Sequence, residues 1–187
     1  MNKNKRGVST IIATVLIILI TIAAAGLIAQ FIVPYVKNTL SKSSECLDYG
    51  NYFKFEDSIG DKEYNCYKSA NGVGRYGSSV GAKVNDSGAG ILGFNLIFTK
   101  EDKTNKVVQV KEINSILTQQ MYDPISGNLG NNIKVPKNGD VYTYVYTDSS
   151  IPIYSYLEVA PVLKSGRVCA ITDKIKINSC ASGVSLS

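Results

Sequence analysis

The chain has 187 residues, enough for one ordinary domain plus an appendage but short for two independent cores. Its formal net charge is +5, yet three of the positive charges lie within the first seven residues and the others are interspersed with acidic side chains. A scattered surface charge of this kind is not a nucleic-acid site, so we predict no nucleic-acid partner.

The first seven residues form a short basic leader, predicted over residues 1–7. Its charges are Lys3, Lys5 and Arg6, and its last residue is Gly7. Positive charge is retained on the cytoplasmic side of a membrane segment. The leader therefore predicts a cytoplasmic N-terminus, with the chain beyond Lys37 on the outside.

A block without Asp, Glu, Lys or Arg covers residues 7–36. It is apolar on all sides rather than along one stripe, which predicts a helix surrounded by lipid or by other helices. Residues 10–33 alone would make about 36 Å of helix, more than the roughly 30 Å of a hydrocarbon core. We assign the helix to residues 8–40, with a kink or short break at Pro34 because proline lacks an amide hydrogen.

Two other roles are compatible with an apolar N-terminal block. A secretory signal peptide could be cleaved after the alanines at 23–25, but the block continues about ten residues further, beyond the usual length of such peptides. A permanent signal anchor explains both length and charge. It does not explain the residues at the start of the block.

At that start, Lys5-Arg6-Gly7 is followed by Val8-Ser9-Thr10. Glycine lets an extended backbone approach a protease closely. Residues 5–16 resemble the N-terminus of archaeal type IV pilins and archaellins, which carry a class III signal peptide. The resemblance implies that a membrane aspartyl prepilin peptidase cleaves between Gly7 and Val8, and that the retained helix is used for filament assembly.

The same stretch differs from bacterial type IV pilins, which usually begin with a methylated Phe and carry Glu at the fifth mature position. Val8 and Ile12 occupy those positions here. The resemblance is therefore to the archaeal type of subunit, in which that acidic side chain is not used.

Four cysteines follow the apolar block: Cys46, Cys66, Cys169 and Cys180. An even number after an export segment, with no histidine in the chain, favours two disulfides over a metal site. Spacing favours the local pairs Cys46–Cys66 and Cys169–Cys180. A bridge between the two ends of the region 41–187 stays open as the alternative.

Residues 41–187 predict a β-rich extracellular head. Residues 41–79 are rich in Gly, Asn, Ser and Tyr and predict irregular structure. Strand signals recur from residue 80 onward, at 80–84, 91–99, 106–113, 141–147, 153–163 and 167–177. This number of strands predicts an all-β, Ig-like sandwich of two sheets. Residues 84–96 are also similar to a strand-turn-strand of archaellin heads, so we expect the lollipop-shaped architecture of pilins.

One N-glycosylation sequon, Asn85-Asp86-Ser87, lies in a predicted turn. We predict a glycan at Asn85, with a plain turn residue as the alternative.

The chain has no histidine and no H-E-x-x-H zinc-protease motif. We predict a non-enzymatic protein with no cofactor and no metal. The expected function is a structural subunit of an extracellular type IV pilus-like filament, membrane-held as a precursor. Its expected partners are identical subunits in a helical filament, the prepilin peptidase and the pilus assembly machinery. The alternatives are a non-polymerising anchored surface or adhesion protein and a minor tip pilin.

Overall fold

The computed structural model describes residues 7–114, 118–130, 132–149 and 154–186. These residues form two compact units, which divide between Leu47 and Asp48. The first unit is an apolar helix, and the second is a mostly β head. The leader charges Lys3, Lys5 and Arg6 lie outside the described residues.

The helical unit contains α1 (Gly7–Leu27), one π-helical turn (Ile28–Ile32) and α2 (Val33–Leu47). It ends at Leu47, beyond the predicted end at residue 40. The prediction placed the end where apolar residues give way to Ser, Lys and Glu. These polar residues lower the hydropathy without ending a helix, because neither Gly nor Pro occurs among them.

The helix is not interrupted at Pro34. Val33 has helical dihedrals, with φ −62° and ψ −49°, and its N–H donates to the Ile28 carbonyl five residues earlier. The predicted break is therefore replaced by the π turn that precedes the proline. In an ordinary helix the proline ring would clash with the carbonyl of Gln30, and a wider turn is one way to relieve that crowding.

The head contains thirteen described strands. They are β1 (Phe53–Phe55), β2 (Cys66–Ala70), β3 (Val73–Ala82), β4 (Ile91–Thr99), β5 (Asn105–Lys111), β6 (Ile113–Asn114), β7 (Gln119–Asp123), β8 (Asn128–Gly130), β9 (Asn132–Ile133), β10 (Val141–Asp148), β11 (Tyr156–Leu163), β12 (Asp173–Lys176) and β13 (Asn178–Ser179).

These strands form a seven-stranded sheet, a four-stranded sheet and a two-stranded sheet. The first has the order β13-β2-β3-β10-β7-β8, with β1 also paired to β3. The second has the order β12-β11-β4-β5, and the third pairs β6 with β9. Among the described strands, the pairing of β2 with β13 is parallel and the others are antiparallel. A mostly β head with two main sheets is thus confirmed.

Residues 41–79, for which irregular structure was predicted, are largely regular. This region holds the end of α2, the strands β1 and β2, and most of β3. A two-residue turn joins β2 to β3, with Asn71 at φ +53° and Gly72 at φ +78°. Positive φ at both residues matches the right-handed twist of a hairpin, and Asn-Gly is its favoured sequence.

The core lies between the two main sheets and is aromatic. Phe53 of β1 and Tyr144 of β10 contact Phe94 of β4, with ring centroids 4.8 and 5.3 Å apart. Tyr76 of β3 contacts Phe98 of β4 at 5.7 Å. All five side chains are buried. Aromatic rings bury large apolar areas, so these contacts between sheets contribute much of the stability of the head.

One disulfide joins Cys66 to Cys180, which are separated by 114 residues. The local pairs Cys46–Cys66 and Cys169–Cys180 are therefore wrong. The reason is the sheet: β13 runs beside β2, with Asn178 opposite Cys66, so the end of the chain returns to the start of the head. Cys46 and Cys169 are disulfide-bonded as well.

Three buried tyrosines surround one carboxylate. The hydroxyls of Tyr146 and Tyr154 donate to Asp148 Oδ2 over 3.3 and 3.2 Å, and the Tyr76 ring contacts both rings, tilted against Tyr146 and edge-on to Tyr154. Burial and, secondly, the charge of Asp148 raise the pKa of Tyr76 and of Tyr146 to about 12. The pKa of Tyr154 is raised for the same reasons.

We expect the free energy of unfolding of the head to fall as the pH rises from 10 to 12. Tyrosines of the unfolded chain ionise near pH 10, whereas Tyr76 and Tyr146 of the folded head hold their protons to about 12. Denaturant titrations of the detergent-solubilised chain, with phenolate absorbance recorded in parallel, measure this. Asp148→Asn removes one cause of the raised tyrosine pKa values, so the stability of this variant should fall less between pH 10 and 12. Constant stability across this range would contradict the assignment.

Gly77 of β3 should not tolerate a side chain. A Cβ there would overlap the Tyr64 carbonyl oxygen and approach Leu186 Cδ2 to 2.9 Å. Both neighbours belong to one buried cluster. Gly77→Ala should therefore lower the free energy of unfolding by about 1–3 kcal/mol, the range for overpacking.

The control is Gly130→Ala, in which the new Cβ lies at an ordinary 3.7 Å from the Met121 carbonyl oxygen. Near-UV circular dichroism in denaturant compares the two variants. Equal stability of both would show that the β3 backbone can move away from Tyr64.

Candidate functional site

The apolar segment Ile11–Lys37 is the feature of this molecule with the clearest functional chemistry. It has 27 residues with a mean hydropathy of 2.9. All of its residues are exposed. At 1.5 Å per residue it is about 40 Å long, enough to cross a membrane with some tilt.

Its threonines show how the segment satisfies its polar groups. The hydroxyls of Thr14 and Thr21 donate to the carbonyls of Ile11 and Ile18, at 2.9 and 2.8 Å. These bonds leave no unpaired donor on either side chain. A helix whose polar groups are internally bonded suits surroundings that contain no water.

Gln30 differs from these threonines. It lies in the π turn, and the described residues provide no hydrogen-bond partner for its carboxamide. The proline four residues later was the available signal that the backbone around Gln30 is also irregular.

The predicted cleavage site, Gly7 and Val8, lies at the beginning of α1. Cleavage there stays a prediction. A peptidase that reads an extended backbone would have to unwind the first turn, which glycine makes easier than other residues.

Asn85 is exposed and lies in a turn, with φ +60°. Its backbone N–H donates to Asn138 Oδ1 over 3.0 Å, a bond that holds the turn in place without using the Asn85 side chain. An exposed turn is a suitable glycan acceptor, and glycosylation of Asn85 stays a prediction.

The head also has an open groove of about 490 Å³ beside the β7–β8 turn. Its lining includes Met121, Tyr122 and Ile125, and Ile125 is 93% exposed. The nearby carboxylate of Asp123 accepts bonds from Ser126 and from the Ile125 N–H, which lower its pKa. This carboxylate therefore orders the turn rather than acting as a proton acceptor.

Within the described parts of the chain, no group of three or more His, Cys, Asp or Glu side chains could hold a metal ion. Neither a protein-family model, nor a curated protein sequence, nor a solved structure matches this chain. The helix and the groove are thus the two surfaces from which a function can be argued.

A charge in the middle of the apolar segment should prevent stable membrane insertion. Ala24→Arg places a guanidinium at the centre of the span Ile11–Lys37, at an exposed position. The transfer cost is about 2.5–3.5 kcal/mol at the centre of a membrane helix. We expect the variant to be partly released from membranes by alkaline carbonate, whereas the wild-type chain stays in the pellet.

Ile125→Arg adds the same charge to an exposed position of the head and serves as the control. Release of the wild-type chain by carbonate, or identical retention of both variants, would argue against a membrane-spanning role for this segment.

Proposed function

We propose that this chain is a structural subunit of an extracellular type IV pilus-like filament of the archaeal type, with an Ig-like head. One observation carries the proposal: the apolar segment Ile11–Lys37 is exposed throughout and begins directly after the basic Gly7–Val8 junction. A helix of this kind needs an apolar partner along its whole length.

In this proposal the precursor is held in the membrane with its leader in the cytoplasm. The peptidase cuts between Gly7 and Val8, which removes the positive charges and keeps the helix. Assembly machinery then extracts the subunit. Lipid and a helix bundle are similarly apolar surroundings, so burial alone does not drive the transfer. Repetition of one contact by a screw operation gives an open filament.

The groove beside Ile125 supports a second candidate. An exposed apolar side chain next to an open groove fits a binding surface, as in an anchored adhesion protein that does not polymerise or in a minor tip pilin. Both candidates use the same helix, so the composition and number of filaments distinguish them.

Processing is tested with Gly7→Val, expressed in the native cell. The branched side chain should block cleavage, so the variant keeps residues 1–7 and stays in the membrane, whereas the wild-type chain begins at Val8 in sheared filaments. Mass spectrometry of the membrane fraction and of the sheared filaments identifies the N-terminal residue in each. Gly26→Val is the matched control, because a Cβ at Gly26 meets no atom within 4 Å. A wild-type chain with an intact leader, absent from filaments, would refute the proposal.

Electron microscopy of cells lacking the protein then separates the candidates. Loss of all filaments identifies a major subunit. Fewer filaments of unchanged composition identify a minor tip pilin. Unchanged filaments, with the protein still in the membrane, identify the anchored surface protein.

A further inference from the structure

The π turn and Pro34 together remove the backbone donors of the Ala29 carbonyl. The Ala29 carbonyl could accept from the N–H of residue 33 or 34. The Val33 N–H is already donated to Ile28, and Pro34 has no N–H. The carbonyl of Ala29 therefore has no N–H partner within the described helix.

The Gln30 carboxamide is the adjacent group, and the described residues leave it unpaired too. Thr14 and Thr21, by contrast, bond within the helix. The Ala29 carbonyl and the Gln30 carboxamide together are called the polar site. It combines an acceptor on the backbone with a side chain that has both donors and an acceptor.

The depth of the polar site determines when it needs a partner. Gln30 is six residues beyond the middle of Ile11–Lys37, about 9 Å from the centre along the axis. The boundary of the hydrocarbon lies about 15 Å from that centre, so in a bilayer the side chain reaches towards the headgroups. In a dry bundle of helices neither water nor headgroups are available, and an unpaired amide is costly.

We propose that, in the assembled filament, the Gln30 carboxamide of one copy donates to the Ala29 carbonyl of a neighbouring copy. This inference rests on the proposed function and names the contact that aligns the subunits. The occupant is a second copy because the chain carries both halves of the hydrogen bond. One buried polar pair of this kind can fix the register of neighbouring helices.

The contact restricts the filament geometry. A glutamine side chain reaches about one helical turn along a neighbouring helix, or roughly 5.4 Å. Helices joined through the polar site must therefore be offset axially by no more than about that distance. A slip by a further turn would leave both groups of the polar site unpaired.

The test compares sheared filaments from four full-length chains: wild type, Gln30→Met, Pro34→Ala and the double variant. Methionine keeps the shape of glutamine without its amide. Alanine at position 34 supplies an N–H that can bond the Ala29 carbonyl within the helix. Subunit release in mild detergent is measured at equal filament mass, with Thr21→Val as the control because its hydroxyl is bonded internally.

We expect Gln30→Met to increase subunit release about threefold to tenfold, the range for one or two interhelical hydrogen bonds. The increase should disappear in the Pro34→Ala background, and Thr21→Val should release like wild type. A filament density map should place the Gln30 carboxamide within about 3.2 Å of the neighbour's Ala29 oxygen.

Unchanged release from Gln30→Met filaments, or an equal increase in both Pro34 backgrounds, would overturn this inference and leave the proposed function intact. Absence of the wild-type chain from filaments would overturn both, and the Gly7→Val experiment detects that case separately.

Discussion

The rest of the molecule depends on one constraint: a 27-residue apolar helix with no buried side chain cannot remain in water. Its backbone bonds are made internally, and Thr14 and Thr21 add their hydroxyls to that internal bonding. The surface that remains is almost entirely hydrocarbon, so only lipid or similar helices can surround it. We infer that the departure from internal bonding at Ala29 and Gln30 requires a specific partner rather than any apolar one.

The head meets the opposite requirement, since it must be stable in water by itself. Two sheets bury aromatic rings between them, with Phe94 and Phe98 of one sheet meeting rings of the other. A buried tyrosine can still pair its hydroxyl, as Tyr144 does when it donates to the Lys134 carbonyl over 2.6 Å. Such side chains fill a core and still satisfy their polar atoms, which suits a head without tryptophan.

Much of this was predictable from local patterns. The apolar block predicted the helix. The β-branched and aromatic runs predicted strands such as β4, whose bounds agree with the prediction. The disulfide was not predictable, because spacing along the chain says nothing about β13 returning to β2. The hairpin at Asn71-Gly72 was missed because glycines in β3 hide its strand pattern, although Asn-Gly itself signals a turn. The polar site could not be predicted, because sequence alone does not specify the hydrogen bonding of the π turn.

The bridge between Cys66 and Cys180 has a mechanical consequence. In the filament that we propose, each subunit would be under tension, and tension on a polypeptide ordinarily unravels it from the point of attachment. A force applied across Cys66 and Cys180 is carried by the bond between their sulfurs and bypasses the intervening chain, whose two ends lie 114 residues apart in sequence. The bridge therefore prevents this part of the chain from being pulled out to its extended length of roughly 380 Å. Tension can deform the strands between the two cysteines, but it cannot extend that part of the chain fully while the disulfide is intact.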